Sequence, residues 1–426
     1  MTLSLLVFAV LLLAGMPIAV VMVMSGLAGA YTIGGLPFLE IIADRMYSGV
    51  AGYVLISVPY FIFTAELMNH AGLTERLIRF NNTLFGRVRG ALSHVNITVS
   101  VFFAGLTGAA ITDTVARGKI LIPAMKKQGY DADYSAAVTA CSSIIGPIIP
   151  PSIVMVVYAS ILRDVSVLDL FAAGIVPGLL MALALLCASA LLSYRRGYPR
   201  QDEPWRLGAV LLTFLPTIPA LLVPVIILGG ILSGATTVTE ASAFGAVYTI
   251  SIGLLGYRTL TWPRIRDALM TTVHFSGVVF FLLAASTVLG WFVTRSGIAR
   301  DAASFIAGIS DSWVVQILLV DLLIILLGTI LDVLPAMVVS APVLVPAMVA
   351  LGFDPLHFAI VMILTLNVAN ITPPVGMTLM TAAKIAEVPY ERAIRQSAPF
   401  FMSHLVVIVL VSLIPAIPLW LPSLLH

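Results

Sequence analysis

Apolar runs of about 20 residues or more, divided by short polar and basic connections, recur from Leu3 to Leu421. That is the length a helix needs to cross hydrocarbon, whereas barrel strands would alternate over only about 10 residues. The pattern predicts an all-α polytopic membrane protein. Leu3 to Thr32 reads as one long tilted helix or as two short ones divided near Gly15-Met16-Pro17, retained in the membrane because no basic start or small-residue cleavage site marks it as a signal peptide. Leu36 to Gly49 reads as an amphipathic arm near one surface. Spans are predicted over Tyr53 to Met68, Leu168 to Tyr194, Leu207 to Ser233, Val238 to Gly256, Leu269 to Val293 and Phe400 to Leu421, with a second arm over Arg295 to Ser312.

Two stretches break this pattern. Ala104 to Ser152 is apolar enough for membrane depth, yet Gly105, Gly108, Gly118, Pro123, Gly146, Pro147, Pro150 and Pro151 interrupt any single helix. Broken backbone persists at such depth only where protein buries it or where it lines a wet cavity, because each free N–H or C=O otherwise costs several kcal/mol. The same punctuation returns at an offset of 223 residues. Gly105 falls on Gly328, Pro123-Ala124-Met125 on Pro346-Ala347-Met348, Gly129-Tyr130-Asp131 on Gly352-Phe353-Asp354, and Pro150-Pro151 on Pro373-Pro374. Eight identities in one register, most of them Gly or Pro, indicate an internal duplication. Each copy is expected to supply one re-entrant hairpin, Ala91 to Ile122 or Trp313 to Met348, and one broken transmembrane helix, Asp133 to Leu162 or Asp354 to Ile385.

Charge sets the orientation. Arg76, Arg79, Arg87 and Arg89, the loop Arg195 to Arg206, Arg258, Arg264 and Arg266, and Lys384, Arg392 and Arg395 fall on one side, which the positive-inside rule assigns to the cytoplasm. The first hairpin then enters from the cytoplasm and the second from outside, an inverted-topology repeat, which places a substrate and its coupling ions at the midplane between the halves. Hydrophobic residues at 60% and charged residues at 10% exclude a soluble globular chain and disorder. A net charge of +2 with no basic run interleaved with aromatics gives no nucleic-acid partner. Cys141 and Cys187 read as small apolar side chains, and the six histidines lack any paired metal spacing.

A half-helix that begins at midplane presents free N–H groups, which suit a carboxylate, and one that ends there presents bare carbonyls, which suit a cation. In Asn370-Ile371-Thr372-Pro373-Pro374, Thr372 is the expected N-cap and ion ligand and Pro373 the first helical residue, with Asn367 and Asn370 adding amide oxygens. Ser142, Ser143, Gly146 and Pro147 take the corresponding part in the first copy, where Ile149 stands opposite Thr372. Ser142, Pro150, Asn367 and Pro373 are the expected substrate-binding positions, and Arg295 is either an interfacial anchor or a carboxylate ligand. An acid at membrane depth is a functional candidate by default, with ordinary helix capping as the plainer reading. Asp332 has no basic neighbour in sequence, whereas Asp113 has Arg117 one turn away to pair with. Thr237 and Glu240 have the spacing of a capping box.

GLTGAAITDTVA, PAMKKQGY, SSIIGPIIPPS, TEA and NITPPVG closely resemble the large, DctM-like membrane subunit of tripartite ATP-independent periplasmic (TRAP) transporters, over nearly the whole chain. The resemblance implies a bacterial inner-membrane permease of the ion-transporter superfamily, with a scaffold and a mobile, elevator-like transport domain. It also implies sodium ions as the coupling species, a small four-helix DctQ-like membrane subunit, and a DctP-like periplasmic binding protein that delivers an organic acid. The sodium sites it implies are Gly105, Thr107, Ser143, Gly146 and Pro147 on one side, and Gly328, Asp332, Asn370 and Thr372 on the other. The first tip departs from the usual Gly-x-Ser-Gly-Ser, reading Gly105-Leu106-Thr107-Gly108-Ala109, with one hydroxyl lost. The expected division is 1–90 scaffold helices and arm, 91–162 first hairpin and broken helix, 163–312 scaffold helices and second arm, 313–385 second hairpin and broken helix, and 386–426 a C-terminal span. The rivals are a stand-alone sodium/dicarboxylate symporter, an intramembrane aspartyl protease using Asp113 and Asp332, and a channel. The protease reading lacks a second acid beside either Asp, and the absence of a GxxxxGK[ST] loop points to an ion gradient as the energy source.

Overall fold

The computed structural model describes residues 2–35, 37–107, 110–162, 164–200 and 207–425, with the side chains of 2, 37–38, 103–107, 207 and 209 outside that description. Among the described residues the regular structure is helical. The N-terminal run is two helices, α1 (Thr2–Leu13) and α2 (Ile18–Gly34), because Gly15 turns into the left-handed region and Pro17 stops the helix from continuing. The arm α3 (Pro37–Val50) bends by 58° into the span that contains α4 (Ser57–His70). α5 (Leu73–Phe85) then carries Arg76 and Arg79 of the first basic cluster, with Arg87 and Arg89 just beyond its end.

The first interrupted stretch forms α6 (Ala91–Thr107), α7 (Ala110–Lys127), α8 (Ala132–Ser143) and α9 (Ile153–Ile161), and α10 (Val167–Arg196) follows as a 30-residue helix. α11 (Leu207–Phe214) and α12 (Ile218–Leu232) lead to α13 (Val238–Ser251), which opens on the predicted capping box between Thr237 and Glu240. α14 (Trp262–Ser296) runs 35 residues, roughly 52 Å at 1.5 Å per residue, well beyond the Leu269 to Val293 expected from hydropathy. Nothing interrupts it between Pro263 in its first turn and left-handed Gly297 after its end.

α15 (Ile298–Ile309) is the second arm, and the second interrupted stretch forms α16 (Trp313–Gly328), α17 (Val333–Ala350), α18 (Pro355–Ala369) and α19 (Met377–Ala386). The last span is shifted from its expected limits: α20 runs Tyr390–Leu413, with Pro389 before its start and Pro415 after its end. Among the described residues six helices are long and apolar enough to cross a membrane, or seven if the bent pair counts as one span.

The basic segments gather at one end of the molecule. Arg196 reaches Asp131 at 3.4 Å and Gln396 at 2.5 Å, the Arg76 guanidinium lies 3.9 Å over the Tyr257 ring, Arg264 bonds the His70 carbonyl at 3.3 Å, and Lys126 bonds the Ala386 carbonyl at 3.2 Å. α14 packs on α2, α3 and α4, and also against α17. The shorter half-helices are exchanged between the two stretches: α9 packs on α17, and α19 on α7 and α8. α10, grouped with the scaffold in sequence, lies along α6, α18 and α20.

Candidate functional site

The first break runs from the end of α8 to the start of α9, and its backbone is buried. Gly146, Pro147 and Pro150 are all buried, and the Pro150-Pro151 bond is cis. α10 lies tight against it, since a Cβ at Gly174 would come within 2.6 Å of the Ile148 carbonyl oxygen. The half-helix α9 is capped by Ser152, whose hydroxyl accepts from the Met155 N–H at 3.3 Å and donates to the Pro147 carbonyl at 2.5 Å. Ser142 and Ser143, expected at that start, instead close the preceding helix and donate to the Thr139 carbonyl at 3.0 and 2.8 Å. Two prolines in succession delay helix formation until the chain regains N–H groups, so the cap falls on Ser152, which the sequence reading did not single out.

The second break differs in the same direction. α19 begins at Met377 after left-handed Gly376, so Thr372 is not its N-cap and Pro373 not its first residue. Thr372 donates its hydroxyl to the Val368 carbonyl at 3.0 Å and so belongs to the end of α18, while Pro373 and Pro374, joined by a cis bond, are exposed in the break. Tyr390 of α20 holds the break by donating to the Val375 carbonyl at 2.6 Å.

Asp332 caps α17 and joins the second turn to the second break. One carboxylate oxygen accepts from the Val333 N–H and from Asn370 Nδ2, both at 2.8 Å. The Asn370 carbonyl in turn accepts from the Thr378 N–H at 3.2 Å, so Asn370 ties the turn to both halves of the interrupted helix. Asp332 is thus the N-cap of α17, the plainer of its two readings, and also the partner of Asn370. Gly328 ends α16 where only a hydrogen fits, because a Cβ there would meet the Ala369 Cβ at 2.6 Å. Two buried oxygens near this break, Asn367 Oδ1 and Thr378 Oγ1, have no hydrogen-bond partner among the described residues.

A small pocket of about 130 Å³ brings the two stretches together. It is lined by Ala110, Ile111 and Thr112 at the start of α7, Pro147 and Val154 from the first break, Asp332 to Leu334 from the second turn, and Phe275 of α14. A groove of about 460 Å³ shares Ile111 and Thr112 with it and continues between Glu66, His70, Glu75 and Ile120. Two other cavities, of about 710 and 500 Å³, adjoin Ser48, Gly49 and Ser160 and do not include Asp332.

The expected site residues therefore fall into separate groups. Pro147 and Asp332 face one pocket, with Asn370 bonded to Asp332. Ser143 belongs to a different constellation, accepting from Arg117 Nη2 at 2.9 Å. Asp113 pairs with Arg117, as the helical spacing predicted. Arg295 is exposed at the end of α14 and does not line the Asp332 pocket. Gly105 and Thr107 fall at the end of α6, where only the helical backbone is described, and Gly108 and Ala109 of the tip lie outside the described residues. An acid missed in the sequence is Asp321, buried in α16, which accepts from Thr365 Oγ1 at 3.2 Å and Ser412 Oγ at 2.7 Å. Its charge amid the apolar run of α16 was the available signal. Among the described residues no group of three or more His, Cys, Asp or Glu side chains is arranged to hold a metal.

The small pocket thus joins the first interrupted helix to the turn that opens α17, and the second interrupted helix is tied to it through the bond from Asn370 to Asp332. The chain matches the model of the family described as "Tripartite ATP-independent periplasmic transporter, DctM component" over residues 5–417, and it belongs to that family. It is 36% identical to the sialic acid TRAP transporter large permease protein SiaM of Vibrio cholerae over 417 residues, covering 97% of this chain and 96% of that one. It is 29% identical to the C4-dicarboxylate TRAP transporter large permease protein DctM of Rhodobacter capsulatus, covering 97% of each. Among solved structures, the YdaH transporter of Alcanivorax borkumensis shares the fold, with TM-score 0.65 and 11% identity over 95% of this chain and 97% of that one. The protein is thus a large TRAP permease subunit of the inner membrane, a transporter component and not an enzyme.

Proposed function

We propose that this subunit carries out sodium-coupled import of a carboxylated solute, such as a C4-dicarboxylate or a sialic acid, delivered by a periplasmic binding protein and assisted by a small four-helix membrane subunit. The observation that carries the reading is the pocket where Asp332 faces Thr112 and Pro147 of the other stretch. A carboxylate that is held only by neutral donors and opens on a cavity favours a cation there. The helix starts at Ser152 and Met377 leave N–H groups for a substrate carboxylate. The unpartnered oxygens of Asn367 and Thr378 suit a hard cation, which takes oxygen ligands.

The inverted repeat fits the matching offset of Gly and Pro and the exchange of α9 and α19 between the two stretches. In the elevator reading, 91–162 and 313–385 move against a scaffold of 1–90 and 163–312. The groove leading from Thr112 past Glu66 and His70 lies toward the basic end, so this conformation is read as open to the cytoplasm. The test is uptake into proteoliposomes containing the reconstituted complex, energised by a sodium gradient or by a matched potassium gradient. Uptake that requires sodium and the binding protein is expected; equal uptake under both gradients would end the sodium assignment, and uptake by this chain alone would favour a stand-alone symporter.

A further inference from the structure

The Arg117 guanidinium is fully buried in the middle of the first interrupted stretch, and its hydrogen-bonding shell is complete. Nε donates to Asp113 Oδ1 at 2.6 Å and Nη2 to Asp113 Oδ2. Nη2 also reaches Ser143 Oγ at 2.9 Å. Nη1 meets the Asn96 carbonyl at 2.8 Å, Asn96 Oδ1 at 3.1 Å and Ser100 Oγ. The five N–H donors of a guanidinium therefore face two carboxylate oxygens, one carbonyl, one amide oxygen and two hydroxyls, contributed by α6, α7 and α8. A shell of this many oxygens around one positive charge is what a hard cation takes. Here the charge is covalently attached, and one carboxylate balances it.

The second stretch is built otherwise. Asp332 forms no ion pair with any described Lys or Arg, and its carboxylate meets only a backbone N–H and the Asn370 amide beside an open pocket. The position at the Arg117 offset is Ser340, which donates its hydroxyl to the Ala336 carbonyl of its own helix at 2.6 Å. Asp113 and Asp332 do not coincide at that offset, Asp113 falling on Ala336, so the contrast is between the two stretches as wholes: the first carries a cation covalently, and the second presents a carboxylate without one.

We propose that Arg117 is a built-in cation that fills the ion position of the first repeat, so that Ser143 takes no dissociable sodium and the exchangeable coupling ion binds at the Asp332 side alone. This rests on the sodium-coupled reading for its second half only; the filling of the Asn96, Ser100, Asp113 and Ser143 shell stands on the geometry.

The experiment is thermal unfolding of the purified full chain in sodium chloride and choline chloride at equal ionic strength. It compares wild type, Asp332→Asn, Arg117→Ala, and Arg117→Ala combined with Asp332→Asn. Wild type is expected to show a saturable, sodium-specific rise in midpoint that Asp332→Asn abolishes. Arg117→Ala leaves Asp113 and its oxygen shell empty, so the double variant is expected to regain a sodium-specific rise, and Arg117→Lys in the Asp332→Asn background to show none. A sodium-specific rise that persists in Asp332→Asn with Arg117 intact overturns the proposal, and that arm does not depend on the Arg117 variants folding. Identical curves in sodium and choline for the double variant overturn it as well. Should wild type itself ignore sodium, the coupling assignment fails; a sodium response gained on Arg117→Ala would still support the built-in cation, and its absence would overturn that too.

Discussion

Asn370 Nδ2 donates to Asp332 Oδ1 at 2.8 Å, joining the second helical turn to the second helix break across 38 residues of chain. Movement of the turn therefore displaces the break, and an ion bound by the Asp332 carboxylate would act on both. Asn and Asp serve equally well as N-caps, so Asp332→Asn is expected to change sodium-free stability by less than about 1 kcal/mol while removing sodium-dependent uptake. Unfolding midpoints in choline and uptake rates in sodium separate the two effects. Retained sodium-driven uptake would remove Asp332 from the ion site.

Asp113 stands in the opposite situation, as one half of a buried pair. Removing one partner from such a pair typically costs about 3–5 kcal/mol because the other charge is left uncompensated. Asp113→Asn is expected to lower the unfolding midpoint far more than Asp332→Asn does, in sodium and in choline alike. Equal midpoints for the two variants would contradict this.

Ser152 supplies the N-cap of α9 and closes the first break through the Pro147 carbonyl. Ser152→Ala is expected to destabilise by about 0.5–2 kcal/mol, and Ser152→Asn to recover part of the loss because its side chain also accepts from the helix N–H. Denaturation midpoints of the three proteins check the order.

Gly328 and Gly277 offer a paired test of close packing. A Cβ at Gly328 would meet Ala369 at 2.6 Å, whereas nothing lies within 4 Å of one at Gly277 in α14. Gly328→Ala is expected to cost about 1–3 kcal/mol by forcing α16 away from α18. Gly277→Ala is expected to be neutral or to stabilise by up to about 1 kcal/mol through helix propensity. Similar midpoint changes for both would mean that the α16–α18 approach is not tight.

The capping box at Thr237 and Glu240 and the pairing of Asp113 with Arg117 were legible in the sequence because each spans only three or four residues on one helix. The two interrupted stretches were legible for a similar reason, since Gly and Pro act on the backbone where they stand. The start of α19 was missed by about one turn, because Pro373 fits a first helical position as well as it fits a break, and only the left-handed turn at Gly376 distinguishes them. Asp321 was passed over since its partners Thr365 and Ser412 lie 44 and 91 residues away.

The sequence by itself determined that this chain crosses a membrane, where its helices break, which end is basic and which family it resembles. These follow from side-chain hydropathy, local backbone restriction and charge, each a property of neighbouring residues. Tertiary structure alone decided that Ser143 serves Arg117, that Asn370 serves Asp332, and that Asp332 shares a pocket with Thr112 and Pro147 while Arg295 stands apart. A buried polar group takes whichever partner the packing brings within about 3 Å, and that choice depends on how distant helices are placed rather than on any local pattern.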